Sequence, residues 1–284
     1  MPVIQWFPGH MAKTRRLIAE NLKLVDVVIE LADARLPQSS RNPLLAELIG
    51  EKPQVLVLCK EDLADASATD QWLKRYAASG LKALSLNAIG GKRQIREKVL
   101  GAIRAQTASI LNKRQSKGII NKTMRTMVVG IPNVGKSTLI NFLAQKGVAA
   151  TGDKPGVTRG KQWIRLDNDV ELLDMPGILW PKFDDPEAGY KLAASGAVSD
   201  DAVDKKDLAT WLIGWLVQNT PGRLTARYGV PESGPAHEIL EAIGKRRGFL
   251  RSGAEVDTLK VAIMLLDEFR GGKLGRITMD EPTS

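Results

Sequence analysis

The sequence lacks the features that mark secreted and membrane-spanning proteins. Its 284 residues include one cysteine, Cys59, so an intramolecular disulfide and a disulfide-stapled secreted domain are excluded. No uncharged apolar run reaches the roughly 18 residues that a transmembrane helix needs. The N-terminus has its basic residues after its apolar ones and no long apolar core, which predicts no secretory signal peptide. We therefore expect a cytoplasmic protein with no membrane partner.

What is present is an ordinary globular composition with a localised positive charge. Hydrophobic residues make up 43% and charged residues 26%, enough apolar material for a core in one large domain or two smaller ones. The net charge is +9. Residues 92–125 hold ten basic side chains and one acid, Glu97, so the excess is concentrated there. Such a stretch is typical of a polyanion-binding segment or of a solvated helix face.

Apolar runs and helical patterns alternate along the first two thirds of the chain. Continuous apolar runs favour strands buried on both faces of a parallel sheet. They lie at residues 25–31, 55–58, 83–86, 126–129, 163–166 and 170–173. Beyond about residue 190 only helical spacing remains, interrupted by Pro and Gly. We predict a doubly wound, mostly parallel α/β domain over residues 1–190 and a small all-helical domain over 191–284.

A phosphate-binding loop stands at residues 130–137, which read Gly-Ile-Pro-Asn-Val-Gly-Lys-Ser. The match to G-x-x-x-x-G-K-[ST] is complete, and a predicted strand precedes it while a predicted helix follows. Backbone N–H groups and the helix N-terminus form an anion cradle. Lys136 would reach the β- and γ-phosphates, and the Ser137 hydroxyl would coordinate Mg²⁺. The expected nucleotide-binding residues of this loop are Asn133, Val134, Gly135, Lys136, Ser137 and Thr138.

Two further motifs fit the same chemistry. Asp174-Met-Pro-Gly177 follows the strand at 170–173 and suits a Walker B-type group, with Asp174 holding Mg²⁺ through water and the Gly177 N–H sensing the γ-phosphate. Between the two motifs, the Gly/Pro-rich loop around Thr158 suits a switch with a second hydroxyl ligand for Mg²⁺. Thr151 competes with Thr158 for that role, and a plain connecting loop is the alternative.

The element that would recognise guanine precedes the phosphate loop. Downstream, Asp204-Lys-Lys-Asp207 has no apolar strand leading into it and favours a helix start instead. Upstream, the strand at 55–58 runs into Cys59-Lys60-Glu61-Asp62, and the strand at 83–86 runs into Asn87-Ala88. The Asp62 carboxylate would accept from guanine N1–H and the 2-amino group. Base motifs can precede phosphate motifs if the strand order in space is kept while the chain is cut and rejoined at a different place. A new connection must then bridge the old termini, and residues 92–123 are the natural candidate.

This order resembles the circularly permuted GTPases of the RbgA/YlqF family, which assist assembly of the large ribosomal subunit. The resemblance covers nearly the whole chain and implies GTP hydrolysis to GDP with Mg²⁺, a precursor of the large subunit and its rRNA as partners, and a monomer off the ribosome. Besides the motifs above, it rests on Trp6-Phe-Pro-Gly-His10-Met-Ala-Lys13, Asp33-Ala-Arg35, Pro155-Gly-Val-Thr158, Gly248-Phe-Leu-Arg251 and Lys273-Leu-Gly-Arg276-Ile277.

Two positions depart from what related GTPases carry. Cys59 stands where the family has Asn, which usually bonds guanine N7 and ties down the phosphate loop. A thiol is a weak donor, and a lost hydrogen bond costs about 0.5–1.5 kcal/mol, so we expect GTP binding roughly tenfold weaker than the family norm. Ile178 stands where Ras-like enzymes place a water-orienting Gln. The resemblance points instead to His10, carried on a mobile Pro8-Gly9 loop, as the group that orients water. It separately points to Asn133 as a K⁺ ligand.

Basic residues in two places are candidates for RNA contact. We expect these contacts from Lys92, Arg93, Arg96, Lys113, Arg114, Lys117, Arg246, Arg247, Lys273 and Arg276, with solvated helix faces as the alternative. By resemblance the helical domain binds ribosomal RNA. Trp211 and Trp215, at i and i+4, favour the helical core over a stacking surface.

Two other functions remain open from the sequence. One is a GTPase acting on another RNA, such as tRNA. The other is an RNA-binding scaffold with weakened nucleotide use, a possibility that the departures at Cys59 and Ile178 suggest. Four intact residues argue against the scaffold: Lys136, Ser137, Asp174 and Asp62.

Overall fold

The computed structural model describes residues 8–87, 91–119, 122–144, 162–174, 186–200 and 203–282, and gives only the backbone of residues 8–14 and 162. The described residues fall into two compact units. One consists of residues 186–277, and the other contains the described residues up to 174 together with 278–282. The sequence predicts a boundary at 190/191 and a helical domain that extends to residue 284. The structure assigns residues 278–282 to the sheet unit, where they are hydrogen-bonded.

The sheet unit contains six described strands in the order β3-β2-β1-β4-β6-β5. All neighbours are parallel except β5 and β6, which pair antiparallel. The strands are β1 (Val27–Asp33), β2 (Gln54–Cys59), β3 (Lys82–Ser85), β4 (Met124–Gly130), β5 (Gln162–Arg165) and β6 (Val170–Asp174). The mostly parallel α/β sheet predicted from the apolar runs is confirmed.

Helices cover the sheet because its central strands are mostly apolar and almost entirely buried. All seven residues of β1 are buried, which requires cover on both faces. Side chains of α1, α2 and α3 cluster with sheet residues, and α4 packs against β1, β2 and α5. The helices of this unit are α1 (Pro8–Leu22), α2 (Pro43–Ile49), α3 (Ala66–Ala78), α4 (Lys92–Ser116) and α5 (Lys136–Leu143).

Helix α1 corrects one expectation. The sequence predicts a mobile loop at Pro8 and Gly9, whereas the described backbone is helical from Pro8 onward. Proline is well suited to the first helical turn, because its missing N–H would be unsatisfied there in any case.

Spatial strand order separates the two sets of motifs. Strands β2 and β3, which run into the base motifs, lie with β1 in one half of the sheet. Strands β4 and β6, which run into the phosphate motifs, lie with β5 in the other half. Helix α4 runs from the end of β3, at the edge, to the start of β4, next to β1. It lies within the predicted connection at 92–123, so the permuted arrangement keeps one continuous sheet.

The other unit is helical in its described part. It consists of α6 (Pro186–Ala194), α7 (Lys205–Asn219), α8 (Arg223–Tyr228), α9 (Ala236–Arg247) and α10 (Thr258–Arg270). Asp204 caps α7 by accepting from the backbone N–H groups of Lys206 and Asp207, so that tetrapeptide does open a helix. Trp211 stacks on Tyr190 with ring centroids 5.1 Å apart, but Trp211 and Trp215 are both half-buried, so the predicted place in the helical core holds only in part. Within the described ranges no helix is long and apolar enough to span a membrane.

Candidate nucleotide-binding site

The predicted site residues converge on the carboxyl edge of the sheet. Asp33 ends β1, Cys59 ends β2, Gly130 ends β4 and Asp174 ends β6, and these four strands run parallel in one sheet. Their last residues therefore lie at the same edge. Ligands of open α/β sheets bind at this edge, so the topology alone brings the phosphate and base motifs together.

The backbone of the phosphate loop follows a path that two glycines make possible. A Cβ at Gly130 would stand 2.9 Å from the backbone oxygen of Leu31, so a side chain there would collide with β1. Gly135 has φ 112° and Asn133 has φ 55°, both in the left-handed region that favours Gly and Asn. Gly135 caps α5, which begins at Lys136. The N-terminal N–H groups of α5 therefore open into the loop, as an anion cradle requires.

Lys136 and Asp174 face each other across this loop. The Lys136 Nζ donates to Asp174 Oδ1 at 2.7 Å, and each side chain is only 10% exposed. The ammonium group that would meet the phosphates and the carboxylate assigned to Mg²⁺ are thus already adjacent. Within the described ranges, this site included, no group of three or more His, Cys, Asp or Glu side chains is placed to hold a metal.

A buried ion-pair cluster supports the base side of the site. Arg35 donates to Asp33 from Nε at 2.9 Å and from Nη2 at 2.7 Å, and both side chains are 2% exposed. Lys60 Nζ lies 3.1 Å from the same carboxylate. Burial by itself raises the pKa of Asp33, but the charges and hydrogen bonds of Arg35 and Lys60 outweigh it and hold that pKa well below its ordinary value. Asp33 is therefore ionised and anchors Lys60.

Asp62 lies in a 3₁₀ turn, Glu61–Leu63, directly after Lys60. The turn is tied to the next strand, because Glu61 N donates to the Leu86 backbone oxygen. Asp62 Oδ1 is buried and has no hydrogen-bond partner among the residues that the structure describes. A buried acceptor without a donor is costly unless a ligand supplies one. Guanine N1–H and its 2-amino group are donors of the kind that this oxygen lacks.

Cys59 packs between the two sides of the site. It is 6% exposed, and a Cβ at Gly135 would lie 3.6 Å from Cys59 Cβ and 3.8 Å from its Sγ. Burial raises the pKa of the thiol to about 12, so it is protonated at neutral pH. Cys59 therefore lies close to the phosphate loop at Gly135.

Several site predictions concern residues outside the described ranges. These are Ala88, Thr158 with its competitor Thr151, and Gly177. Of His10 the structure describes the backbone, within α1, and not the side chain. Their roles stay predictions. Asn87, the partner of Ala88 in the second base motif, follows β3 at the same edge of the sheet.

Part of the predicted RNA-binding charge is used inside the molecule. Arg96 donates to the backbone oxygens of Leu143 and Leu166, at 3.2 and 2.8 Å. Arg114 pairs with Asp26 and bonds the Thr123 backbone oxygen. These contacts attach the connecting helix α4 to the sheet unit and argue against Arg96 and Arg114 as RNA contacts.

The remaining basic candidates are exposed. In α4 and just after it they are Lys92, Arg93, Lys113 and Lys117, and in the helical unit they are Arg246, Arg247, Lys273 and Arg276. Arg93 pairs with Glu97 one helical turn away, and Arg247 lies over the Tyr228 ring. Contact of these residues with RNA stays a prediction.

Three residues have roles that the sequence did not predict. Asp33 and Arg35 were noted only as part of a family motif, and the signal for their pairing was an Asp and an Arg two residues apart at the end of a buried strand. Asp280 was assigned no role. It bonds the loop after Arg35 from a position 241 residues away from Ser39, and no local pattern marks it.

Comparison with known proteins agrees with this geometry. A family model described as a 50S ribosome-binding GTPase matches residues 125–226. Ribosome biogenesis GTPase A of Bacillus cereus is 48% identical over 283 residues, covering 99% of this chain and 94% of the relative. Its counterpart from Priestia megaterium is 47% identical, covering 99% and 97%.

A solved structure shows the same arrangement over almost the full length. GNP-bound YlqF from T. maritima is 25% identical, with a TM-score of 0.68, and the match covers 96% of this chain and 99% of that one. Sequence identity, coverage and the permuted sheet together make the chain a GTPase of the RbgA/YlqF family, the family of ribosome biogenesis GTPase A.

Proposed function

We propose that this GTPase is an assembly factor that binds a precursor of the large ribosomal subunit and its rRNA in the GTP state and leaves on hydrolysis. The observation that carries the guanine-nucleotide part is the single sheet edge at which the Asp62 carboxylate, the phosphate loop and Asp174 meet. The relatives' name, ribosome biogenesis GTPase A, supports the ribosomal part. The exposed basic residues of α4 and of the helical unit supply charge suited to rRNA phosphates.

The residues present fit a magnesium–nucleotide complex. The buried Oδ1 of Asp62 lacks a donor in the described part of the chain, which suits a guanine edge. Ser137, Thr158 and Asp174 would hold Mg²⁺, which keeps several waters and needs few protein ligands. Once bound, the ion would neutralise charge that develops on the phosphates. Lys136, adjacent to Asp174, would stabilise the same charge from the loop side.

Hydrolysis needs a group that orients the attacking water, and the apolar side chain of Ile178 cannot do this. We assign this role to His10, whose side chain can accept a proton at neutral pH. The Gly177 N–H would sense the γ-phosphate, and Thr158 would close the switch loop. Asn133, exposed and left-handed in the phosphate loop, would hold K⁺ beside the phosphates. The protein would act as a monomer in the cytoplasm.

Sedimentation of cell extract tests the proposal. With a non-hydrolysable GTP analogue the protein should co-migrate with large-subunit particles, and with GDP it should remain at the top of the gradient. His10→Ala should bind GTP normally, stay on the particles with GTP and lose turnover. Turnover that is equal in K⁺ and Na⁺ would remove the K⁺ role.

Two results would redirect the proposal. Hydrolysis stimulated only by tRNA would favour the GTPase acting on another RNA. RNA binding that is equal with analogue, GDP and no nucleotide would favour the scaffold. Unchanged turnover of His10→Ala on ribosomal particles would discard the catalytic histidine and leave the nucleotide switch standing.

A further inference from the structure

The last described residues of the chain, 278–282, form a segment that we call the C-terminal strap. Its centre, Asp280, is 6% exposed although it carries a carboxylate. Oδ2 accepts from the backbone N–H groups of Gln38 at 2.9 Å and Ser39 at 2.6 Å, and Oδ1 accepts from the Ser39 hydroxyl at 2.6 Å. Three donors converge on one buried carboxylate, so the strap is firmly attached to the loop after Arg35.

The strap also bonds the helix on the other side of that loop. Thr278 Oγ1 accepts from the Asp65 backbone N–H at 3.0 Å, and the Trp72 indole N–H donates to the Asp280 backbone oxygen at 3.1 Å. Between these contacts, the Met279 N–H donates to the Arg35 backbone oxygen at 2.8 Å. The strap therefore cross-links the loop at Arg35 to the start of α3.

These two attachment points flank Asp62. Asp65 caps α3 and follows Asp62 by three residues, with the intervening turn closed by the bond from Ala64 N to the Glu61 backbone oxygen. On the other side, the buried Arg35 guanidinium is attracted to the Asp62 carboxylate. The strap thus holds in place the charge that faces Asp62 and the turn that carries it.

Asp62 depends on such outside support more than most buried carboxylates do. Its Oδ1 has no bond of its own in the part of the chain that the structure describes. A carboxylate oxygen without a hydrogen bond is oriented by the packing and charges around it. A small displacement of a group that recognises a ligand edge weakens that recognition strongly.

We propose that the C-terminal strap is a positioning element for guanine recognition, which sets the orientation of Asp62 through Asp65 and Arg35. The inference rests on the proposed role of Asp62. Loss of the strap should reduce the hydrogen bond between Asp62 and the guanine 2-amino group. It should leave the phosphate loop, which has none of these contacts among its described residues, unchanged.

The affinity ratio between GDP and IDP tests the proposal, because inosine lacks the 2-amino group and keeps N1–H. We expect the unmodified protein to prefer GDP by roughly 10- to 100-fold, the range for one charge-assisted hydrogen bond. Asp280→Ala should bring the ratio to within about threefold of unity. Calorimetry with both nucleotides on one preparation gives a ratio that does not depend on the folded fraction.

Asp204→Ala is the matched control. Asp204 also accepts from two backbone N–H groups, but it caps α7 in the helical unit. It should lower the melting temperature and leave the ratio unchanged. Should Asp280→Ala fail to fold, Thr278→Val removes only the bond from Asp65 and should still lower the ratio.

The outcomes separate this inference from the one beneath it. An Asp280→Ala protein that melts earlier but keeps the full GDP preference overturns the strap's role and makes it a purely stabilising contact. If the Asp62→Ala variant still prefers GDP over IDP as strongly as the parent does, the role of Asp62 itself is overturned. A lowered ratio in both Asp62→Ala and Asp280→Ala, with Asp204→Ala unchanged, supports both.

Discussion

The two sides of the nucleotide site are built in different ways. The phosphate side is local: residues 130–137 follow one another, and their backbone supplies the cradle, with one long-range ion pair between Lys136 and Asp174. The base side is assembled from distant segments. It combines a buried cluster at Asp33 and a turn at Asp62 with a strap from the end of the chain.

This difference in construction determines which substitutions should weaken phosphate binding and which should weaken guanine recognition. A cradle made of backbone N–H groups needs only the right loop path, so its affinity depends on residues inside the motif. A base site made of buried charges depends on residues that never touch the base. We therefore expect phosphate affinity to be sensitive locally and guanine selectivity to be sensitive at a distance.

The largest effect should come from breaking the buried pair of the base side. Arg35→Met leaves the Asp33 carboxylate buried beside Lys60, and loss of one partner of a buried pair costs about 3–5 kcal/mol. In the parent, the lowered pKa of Asp33 gives stability that is present above the unfolded value of 3.8 and is lost as the pH falls. In the variant, burial raises that pKa, so the deficit should be smaller at pH 5 than at pH 7. Urea unfolding at both pH values measures it.

A control for this prediction lies in the helical unit. Arg227 makes a similar bidentate pair with Glu268, but its side chain is 33% exposed. Arg227→Met should cost less, because the Arg227 side chain lies partly at the surface, where water can take its place, and because the Tyr228 hydroxyl still donates to Glu268. Equal losses in the two variants, or a pH-independent deficit in Arg35→Met, would contradict the account of the base side.

On the phosphate side, Lys136→Ala should abolish most nucleotide affinity. Removing an ammonium group that would meet two phosphates costs about 3 kcal/mol, or more than 100-fold in the GDP dissociation constant. Calorimetry in the presence of Mg²⁺ measures it. The loss should be the same for GDP and IDP, since the base side is intact. Lys205→Ala, in α7, serves as the charge-matched control, and a loss below tenfold would argue against the role of Lys136.

Asp62→Asn should exchange one base for another. Asparagine keeps one acceptor but turns a donor toward the guanine 2-amino group, so GDP binding should weaken by roughly 30- to 100-fold. Xanthine presents an oxygen at that position, so XDP should bind more tightly than GDP. Competition between the two nucleotides for one fluorescent diphosphate measures the exchange, and equal weakening of both would refute it.

The smallest effect should come from Cys59→Asn. The thiol lies against Gly135 and is a weak donor, whereas an amide can bond both guanine N7 and the loop. We expect GDP to bind about tenfold more tightly, which is one hydrogen bond. Cys59→Ala should stay within about twofold of the parent. If the Asn variant binds no better than the Ala variant, the site has no use for that amide.

The features that could be predicted from the sequence are those that depend on residues close together along the chain. The strands, the phosphate loop at 130–137 and the helix that opens at Asp204 were predicted because apolar period, glycine placement and capping are local properties. The permuted order was also predicted, because Cys59-Lys60-Glu61-Asp62 follows a strand that precedes the loop. The basic run at 92–125 was located, but charge counting could not tell that Arg96 and Arg114 have internal partners.

Short motifs with fixed spacing are enough to establish that this protein binds a phosphate-bearing nucleotide and that its base motifs come first in the chain. What holds the base side in place is visible only in the folded structure. Sheet register and the turn after β2 bring Lys60 to the buried Asp33, and the returning chain end brings Asp280 to the loop after Arg35; both buried carboxylates are tolerated because folding supplies these partners. Pairing of that kind leaves no periodic trace, because the partners are separated by as many as 242 residues.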